Sequence, residues 1–192
     1  MQENNVIDRH PKVVAKMREH LYAWWEGVKD LANEVQNAAI IGTKYENPTK
    51  LSATEWLDVF VDQQGQIRRG VLKNGYWMIE VATAGLYEIE LRRWPKETDG
   101  KISGTLPDGS GRALPINQAM PYLSGHNHLK ISEKKSYQFE GLSKRVNSDD
   151  KGITFTMNLK KGPTALHTWF KGGDGMNLSA YYVYVNHKRN HN

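Results

Sequence analysis

The sequence predicts a mainly β protein, with one N-terminal α-helix followed by an antiparallel β-sandwich, α+β overall. Apolar residues alternate with polar ones in several short runs, and glycine-rich breaks separate these runs. Helical spacing is clear only near the N-terminus, whereas a parallel sheet would need helices between its strands. We therefore expect a helix in residues 1–37 and a sandwich domain in residues 38–192.

The N-terminal segment has one apolar residue every three or four positions, which is the period of one helix face. These residues are Val14, Met17, Leu21, Trp24, Val28, Leu31 and Val35. Pro11 suits the first turn of this helix, and Gly27 weakens it further along. We expect the apolar stripe to pack on the sandwich or, if it is left uncovered, to drive self-dimerisation.

Two segments predict β-hairpins. In residues 75–95, Trp77, Ile79 and Val81 alternate with more polar positions, and the pattern resumes beyond Gly85. A period of two places each set on one face of a strand. Residues 153–170 repeat this plan around a Lys-Gly-Pro turn, and residues 180–185 predict the last strand. Residues 38–42, 113–116 and 129–131 are further candidate strands, and residues 96–111 and 133–151 are expected to be loops.

Composition excludes several classes of site. The chain has no cysteine, so it has neither disulfides nor thiolate metal ligands. Its 26 Lys and Arg outnumber 21 Asp and Glu, but the charges are interspersed. The basic pairs Arg68-Arg69, Arg92-Arg93 and Lys134-Lys135 are expected to lie on solvated faces, so no nucleic-acid partner is expected. Neither a signal peptide nor a membrane span is apparent, and the cellular compartment stays open.

Candidate catalytic and metal-binding motifs are weak. His126 and His128 share one side of a predicted strand, but no third ligand follows from their spacing. The pair Asp149-Asp150 is expected to form a turn, and residues 172–175 a hairpin loop rather than a calcium loop. We therefore expect no catalytic residues and no metal ligands in this chain.

Several segments resemble, in order, the C-terminal region of bacterial formylglycine-dependent arylsulfatases. They are His-Pro-Lys-Val-Val at 10–14, Trp-Trp at 24–25, Glu-Asn-Pro-Thr-Lys-Leu at 46–51, Gly-Tyr-Trp at 75–77, Glu-Ile-Glu-Leu-Arg-Arg-Trp-Pro at 88–95, Ala-Leu-Pro-Ile at 113–116, Lys-Gly-Pro-Thr at 161–164, Thr-Trp-Phe at 168–170 and Ala-Tyr-Tyr-Val-Tyr-Val at 180–185. The resemblance covers most of residues 6–95 and 112–185.

This resemblance implies a non-catalytic part of a sulfatase. In the family, a formylglycine made from the Cys or Ser of a C/S-x-P-x-R motif acts beside a calcium ion, and both belong to a preceding α/β domain. The chain has no Cys and no Ser-x-Pro-x-Arg, so neither group is expected in it. We expect it to brace that catalytic domain, its partner, to help shape the substrate cleft, and to hydrolyse no sulfate ester alone.

A free-standing carbohydrate-binding module is the alternative hypothesis. On the last strand, Tyr182 and Tyr184 alternate away from the core set, and Trp169 does so on the preceding strand. Flat rings with one side in water stack on sugars, and Asp174 on a nearby loop could accept hydrogen bonds from hydroxyls. The same rings covered by the helix or by the catalytic domain would be packing surface instead. A structural interaction domain without a ligand is the third hypothesis.

Overall fold

The computed structural model describes residues 5–32, 38–124 and 142–188, which divide into two compact units, Met1–Asn37 and Ala38–Asn192. The first unit contains a 3-10 turn, Ile7–Arg9, and helix α1, Pro11–Ala32. The predicted helix and its start at Pro11 are thus confirmed. The helix continues through Gly27, where an added Cβ atom would have no neighbouring atom within 4 Å outside the backbone of the helix itself.

The second unit is built mainly of strands. They are β1 (Ala39–Ile41), β2 (Thr49–Ser52), β3 (Tyr76–Val81), β4 (Gly85–Arg92), β5 (Ile116–Ser124), β6 (Lys144–Arg145), β7 (Ile153–Leu159), β8 (Gly162–Gly172), β9 (Asn177–Leu178) and β10 (Tyr182–His187). A short helix, α2 (Gln64–Arg69), precedes β3 and ends at Gly70, which adopts a left-handed conformation. The predicted mainly β fold with an N-terminal helix is confirmed.

The strands form two sheets. The six-stranded sheet has the order β1-β3-β8-β5-β6, with β9 also paired to β8, and the four-stranded sheet has the order β2-β10-β4-β7. Every strand pair in the described residues is antiparallel except β1 with β3, which is parallel. The six-stranded sheet is therefore mixed rather than wholly antiparallel.

Both predicted hairpins are wrong in their pairing. Strands β3 and β4 belong to different sheets, because the three residues between them cross from one sheet to the other. Strands β7 and β8 are connected in the same way. Each of these two connections is an arch, which joins a strand of one sheet to a strand of the other. The strands of the two arches pair with each other, β3 with β8 and β4 with β7. The strands of each predicted hairpin, β3 with β4 and β7 with β8, therefore lie in opposite sheets and form no backbone ladder with each other.

The core lies between the two sheets and contains the apolar sets that the alternation predicted. Among its fully buried side chains are Trp77, Ile79, Ile89, Leu91, Phe155, Leu166, Phe170 and Val183. The Trp77 indole donates from Nε1 to the carbonyl oxygen of Ser52, 2.8 Å away. Burial of this mainly apolar area is the principal stabilising term of the fold.

The segment between β4 and β5 forms an irregular loop, as expected, but one that packs on the core. Ile102 and Leu106 are buried in it, beside Trp94. The expectation that Arg92-Arg93 lies on a solvated face is wrong, because both side chains are buried. Arg93 donates to the carbonyl oxygens of Ile102, Gly104 and Arg112, so the loop supplies the polar partners that water would otherwise provide.

The other predicted strands and turns are confirmed only in part. Residues 38–42 and 180–185 contain strands, but residues 113–116 only reach the start of β5, and helix α2 was not predicted. Asp149-Asp150 forms a turn, as expected: an Asp150 carboxylate oxygen accepts from the Asn147 backbone nitrogen at 2.7 Å. His126, His128, Lys134-Lys135 and the strand expected at 129–131 lie outside the described residues.

Candidate functional site

Four rings line the outer face of the six-stranded sheet, and we call them the aromatic face: Tyr76, Tyr122, His167 and Trp169. Their positions follow from register, because Tyr76 and Tyr122 lie directly opposite His167 on the two strands that flank β8. Residues directly opposite in an antiparallel pair share one face. Trp169 is two positions further along β8 and therefore points the same way.

The rings of the aromatic face contact one another closely. The ring centroids of His167 and Trp169 are 5.7 Å apart and the two planes differ by 7°. Tyr76 also stacks on His167, with ring centroids 4.9 Å apart. The Tyr122 ring is tilted, and its centroid lies 5.9 Å from that of His167 and 6.4 Å from that of Trp169. Tyr76 is buried, whereas the other three rings are half-buried. Such contacts hold aromatic side chains in fixed orientations.

His167 is neutral at physiological pH. Burial lowers the pKa of its imidazole to about 4, because desolvation disfavours the charged form. A hydrogen bond of 3.1 Å joins its Nε2 to the hydroxyl of Ser124. A general base works best with a pKa near the working pH, and an imidazole with a pKa of about 4 is a weak one. The Ser124–His167 pair is therefore suited to polar recognition rather than to nucleophile activation.

Two of the residues predicted to bind sugar, Tyr182 and Tyr184, are buried. Tyr182 and Tyr184 do alternate away from Tyr181 and Val183, but the expectation that they are exposed is wrong, since only 6% and 8% of their surfaces are accessible. The Tyr182 hydroxyl accepts from the Gln64 amide of α2 at 3.2 Å.

A neighbouring loop covers the second ring. The Lys96 backbone nitrogen donates to the Tyr184 hydroxyl at 3.0 Å, and the Lys96 ammonium lies 4.4 Å from the Tyr184 ring centroid. Both tyrosines thus serve as packing surface for the segments that follow β4 and β2. A period of two predicts the direction in which a side chain points, but not what another segment places over it.

The other two predicted residues lie elsewhere. Trp169 is on the six-stranded sheet and points outward, as predicted, so it cannot share a surface with the tyrosines of the four-stranded sheet. Asp174 is exposed in the turn between β8 and β9, where its backbone adopts a left-handed conformation with φ of 56°. The structure therefore does not bring the four predicted residues together into one site.

Three residues of the aromatic face, Tyr76, Tyr122 and His167, were not predicted as site residues. Neither was Ser124, whose hydroxyl is hydrogen-bonded to His167. Tyr76 was assigned to the more polar side of its strand, which is indeed the outer side. Tyr122 and Ser124 fall in β5, whose interior carries Pro121 and so does not read as a strand from local propensity. The available signal was the spacing of two positions between His167 and Trp169.

Within residues 5–32, 38–124 and 142–188, no group of three or more His, Asp or Glu side chains could hold a metal ion. Gly173–Gly175 forms a 3-10 turn that joins the paired strands β8 and β9, which confirms the hairpin loop expected at residues 172–175. No helix in the described part of the chain is long and apolar enough to cross a membrane.

Comparisons with known proteins give little further information. No protein family profile matches the sequence, and no curated protein matches it. A solved structure of a ruminal GH26 endo-β-1,4-mannanase is similar at 12% sequence identity and a TM-score of 0.40. The match covers 78% of this chain but only 27% of that chain. A TM-score this low carries no argument about fold or activity.

Proposed function

We propose that this chain is the C-terminal, non-catalytic part of a sulfatase-family protein, in which helix α1 docks on the catalytic domain and the sandwich braces that domain. The ordered resemblance of residues 6–95 and 112–185 to arylsulfatase C-terminal regions supports this proposal. The observation that carries it in the structure is a wide apolar stripe on α1. The parent protein would hydrolyse sulfate esters with a formylglycine and a calcium ion held in its preceding domain.

The stripe on α1 is exposed. Met17 is 67% accessible and Trp24 is 56% accessible, and Val13, Leu21 and Trp25 are exposed too. At 100° per residue, the apolar side chains from Val13 to Trp25 and Val28 span an arc of about 120°. An uncovered apolar surface of this kind is a mark of an interaction site.

The width of the stripe favours a globular partner. A two-stranded coiled coil needs only a narrow seam of residues at the a and d positions. Here Val13 and Trp25 extend the stripe on both sides of the Val14, Met17, Leu21 and Trp24 seam. A helix with so broad an apolar face is covered best by the flatter surface of a folded domain. In the resembled family a catalytic domain precedes this region.

Immunoblotting tests the proposed function without assuming a partner. Antibodies raised against residues 38–192 are expected to detect, in the cells that produce the protein, a species much heavier than the 21.9 kDa of this chain. Mass spectrometry of that species should find a formylglycine peptide. A native species of only 21.9 kDa would overturn the proposal. So would a heavier species without a C/S-x-P-x-R motif.

The stripe can be tested in the isolated chain. Replacing Trp24 with Ala is expected to change the free energy of unfolding by less than about 0.5 kcal/mol, since the ring is mostly exposed. The matched control is Trp77→Ala, which removes a fully buried ring and should cost about 4 kcal/mol. Urea unfolding measures both values. A loss near 3 kcal/mol for Trp24→Ala would show that the stripe is buried within this chain.

Carbohydrate binding is a second candidate function, and the aromatic face is the observation that favours it. The Trp169 and His167 rings are stacked and nearly parallel, and both are half-buried, so part of each side chain is accessible. The neutral imidazole and the Ser124 hydroxyl add hydrogen-bonding groups beside the rings. Apolar rings with a few fixed polar groups are the usual composition of a sugar site.

Calorimetric titration with oligosaccharides tests this second candidate. Trp169→Ala is expected to weaken binding about tenfold, because one stacking ring contributes about 1 kcal/mol or slightly more. Tyr184→Phe, a change on the other sheet, should leave the affinity unchanged within about twofold, and thermal melting verifies that both variants fold. Absence of saturable binding at millimolar sugar would leave the aromatic face as packing surface.

A further inference from the structure

Strand β7 has a free edge. It is an outermost strand of the four-stranded sheet, and among the described residues it pairs only with β4. The other outermost strands, β1, β2 and β6, have four residues or fewer, whereas β7 has seven. The edge of β2 is also capped, because Glu55 accepts from the Ser52 backbone nitrogen and Trp77 donates to the Ser52 carbonyl oxygen. Strand β7 is therefore the longest of the outermost strands, and such a strand can receive a further one.

The backbone groups of every second residue of β7 point away from β4. Just beyond β10, the Lys188 backbone nitrogen donates to the Leu86 carbonyl oxygen at 2.8 Å, so the even-numbered residues of β4 turn to β10 and the odd-numbered ones to β7. The odd-numbered residues of β4 lie opposite the odd-numbered residues of β7, which complete this ladder. The outward N–H and C=O groups of β7 therefore belong to Thr154, Thr156 and Asn158.

Most of these outward groups have no partner in the described part of the chain. The Lys144 ammonium donates to the Thr154 carbonyl oxygen at 2.6 Å. Within residues 5–32, 38–124 and 142–188, nothing bonds to the outward backbone groups of Thr156 and Asn158, and both residues are exposed. Met157 lies between them and is half-buried at the rim of the core. This edge thus offers donors and acceptors at strand spacing, together with an apolar contact.

Lysines without ion pairs surround the edge. Lys144, Lys160 and Lys161 are exposed, and none of them pairs with a carboxylate among the described residues. Glu88 and Glu90 of the neighbouring strand β4 are already in ion pairs with other basic side chains. Positive charge therefore lies beside the start of β7 and beyond its end, which favours an acidic occupant.

A second copy of the chain fits this edge less well. In a two-fold antiparallel pair centred on Thr156, residues at equal distances from the centre lie opposite each other. Lys161 of one copy would then lie opposite Lys151 of the other, and like charges placed directly opposite are destabilising. Lys151 is paired with Asp99, but the unpaired lysines of both copies would still gather along one joint edge.

We propose that the free edge of β7 binds an extended segment of a partner protein, which adds a strand beside β7 and carries acidic residues at both of its ends. Backbone hydrogen bonds to Thr156 and Asn158 hold this segment, and Met157 contacts its inward-facing side chain. Lys144 at one end and Lys160 at the other attract the acidic residues. The inference does not depend on the proposed function, because it uses only β7 and its surroundings.

Amide hydrogen exchange followed by NMR tests whether the edge is free. In the chain alone, the amides of Thr156 and Asn158 are expected to exchange about a hundredfold faster than those of Phe155 and Met157, which turn to β4. Slow exchange at Thr156 and Asn158 would overturn the inference, because the edge would already be covered. Protection that increases with protein concentration would overturn it as well, since a second copy would then be the occupant.

A synthetic peptide, Asp-Glu-Thr-Val-Thr-Val-Thr-Glu-Asp, is the probe for the partner segment. At millimolar peptide, exchange at Thr156 and Asn158 is expected to slow about tenfold. An analogue with lysine at the acidic positions should bind about tenfold more weakly, and added salt should reduce this difference. Equal affinity for the two peptides would refute the acidic occupant. Unchanged exchange with the acidic peptide would refute strand addition.

Two variants at Thr156 test the backbone contact. Thr156→Pro removes the outward N–H but no donor of the β4 ladder, and proline is tolerated on an edge strand in such a position. The matched control, Thr156→Val, keeps the N–H. Affinity for the acidic peptide is expected to fall about tenfold in the proline variant and to stay within about twofold in the valine variant. Equal affinities in the two variants would contradict the proposed hydrogen bond, and thermal melting establishes that both fold.

A charge reversal tests the inference without altering the strand. Lys160→Glu combined with Lys161→Glu is expected to reverse the preference, so that the lysine-containing peptide binds more tightly than the acidic one. This double variant provides a test even if Thr156→Pro does not fold. An unchanged preference for the acidic peptide would show that these lysines do not select the occupant, and the inference would fail.

Discussion

Replacing Arg93 with Met is expected to lower the free energy of unfolding by about 4 kcal/mol. The Arg93 side chain is fully buried. Its guanidinium donates to the carbonyl oxygens of Ile102, Gly104 and Arg112. Met has a similar volume but no donor, so three carbonyls would lose their partner at about 1–3 kcal/mol each, offset in part by relaxation of the loop. Urea unfolding followed by tryptophan fluorescence measures the change.

Arg93→Lys is the informative control for this prediction. Lysine keeps the positive charge, but its single ammonium cannot reproduce the geometry of the planar fork. We expect Lys to recover less than half of the loss. A loss below about 1 kcal/mol for Arg93→Met would contradict the prediction, because it would show that the loop satisfies its carbonyls without the guanidinium.

Replacing Trp94 with Ala is expected to cost a similar amount, about 4 kcal/mol. The Trp94 ring is 1% accessible, and its Nε1 donates to the Lys101 carbonyl oxygen at 3.0 Å. The Arg93 guanidinium lies 4.5 Å from its ring centroid. Gly111 packs so closely that a Cβ there would come within 2.6 Å of the ring, so truncation would leave a cavity that the loop cannot fill without moving.

Trp94→Phe separates the two contributions of this residue. Phenylalanine keeps an apolar ring in the site but loses the hydrogen bond to Lys101, so a smaller loss of about 2 kcal/mol is expected. Melting curves and urea unfolding of the three proteins give the comparison. If Trp94→Phe were as damaging as Trp94→Ala, the hydrogen bond rather than the ring would be the main contribution.

Local patterns in the sequence were sufficient for the faces of the strands. Trp77 and Ile79 in β3, and Ile89 and Leu91 in β4, are buried as their alternation predicts. The reason is physical: side chains on a strand alternate with a period of two whatever the strand pairs with. The start of α1 at Pro11 was predictable for a similar reason, since a proline at the first helical position lacks only a donor that the helix does not use.

Strand pairing was not predictable in this way. A short glycine-containing break between two alternating runs is compatible with a hairpin or with an arch between sheets. Its backbone chemistry does not distinguish them. The arches β3–β4 and β7–β8 are decided by which strands lie beside them, because β3 pairs with β8 and β4 with β7. These pairings join residues far apart in sequence, to which local propensity is insensitive.

The candidate sites show the same division. Trp169 was predicted to point away from the core, and it does. The tyrosines of β10 were predicted to be exposed, but Gln64 and Lys96 cover them. Exposure depends on segments distant in the chain, whereas direction depends on the strand alone.

The sequence by itself determined the mainly β class, the N-terminal helix with its apolar stripe, the inward-facing sets of the strands, and the absence of any cysteine chemistry. Only the tertiary structure decided the sheet order, the burial of Arg92 and Arg93, and the aromatic face. The first group follows from periods of 2 and 3.6 residues and from composition, which are local properties. The second group depends on contacts such as those of β3 with β8 and of Arg93 with Arg112. Such contacts form only when the whole chain has buried its apolar surface.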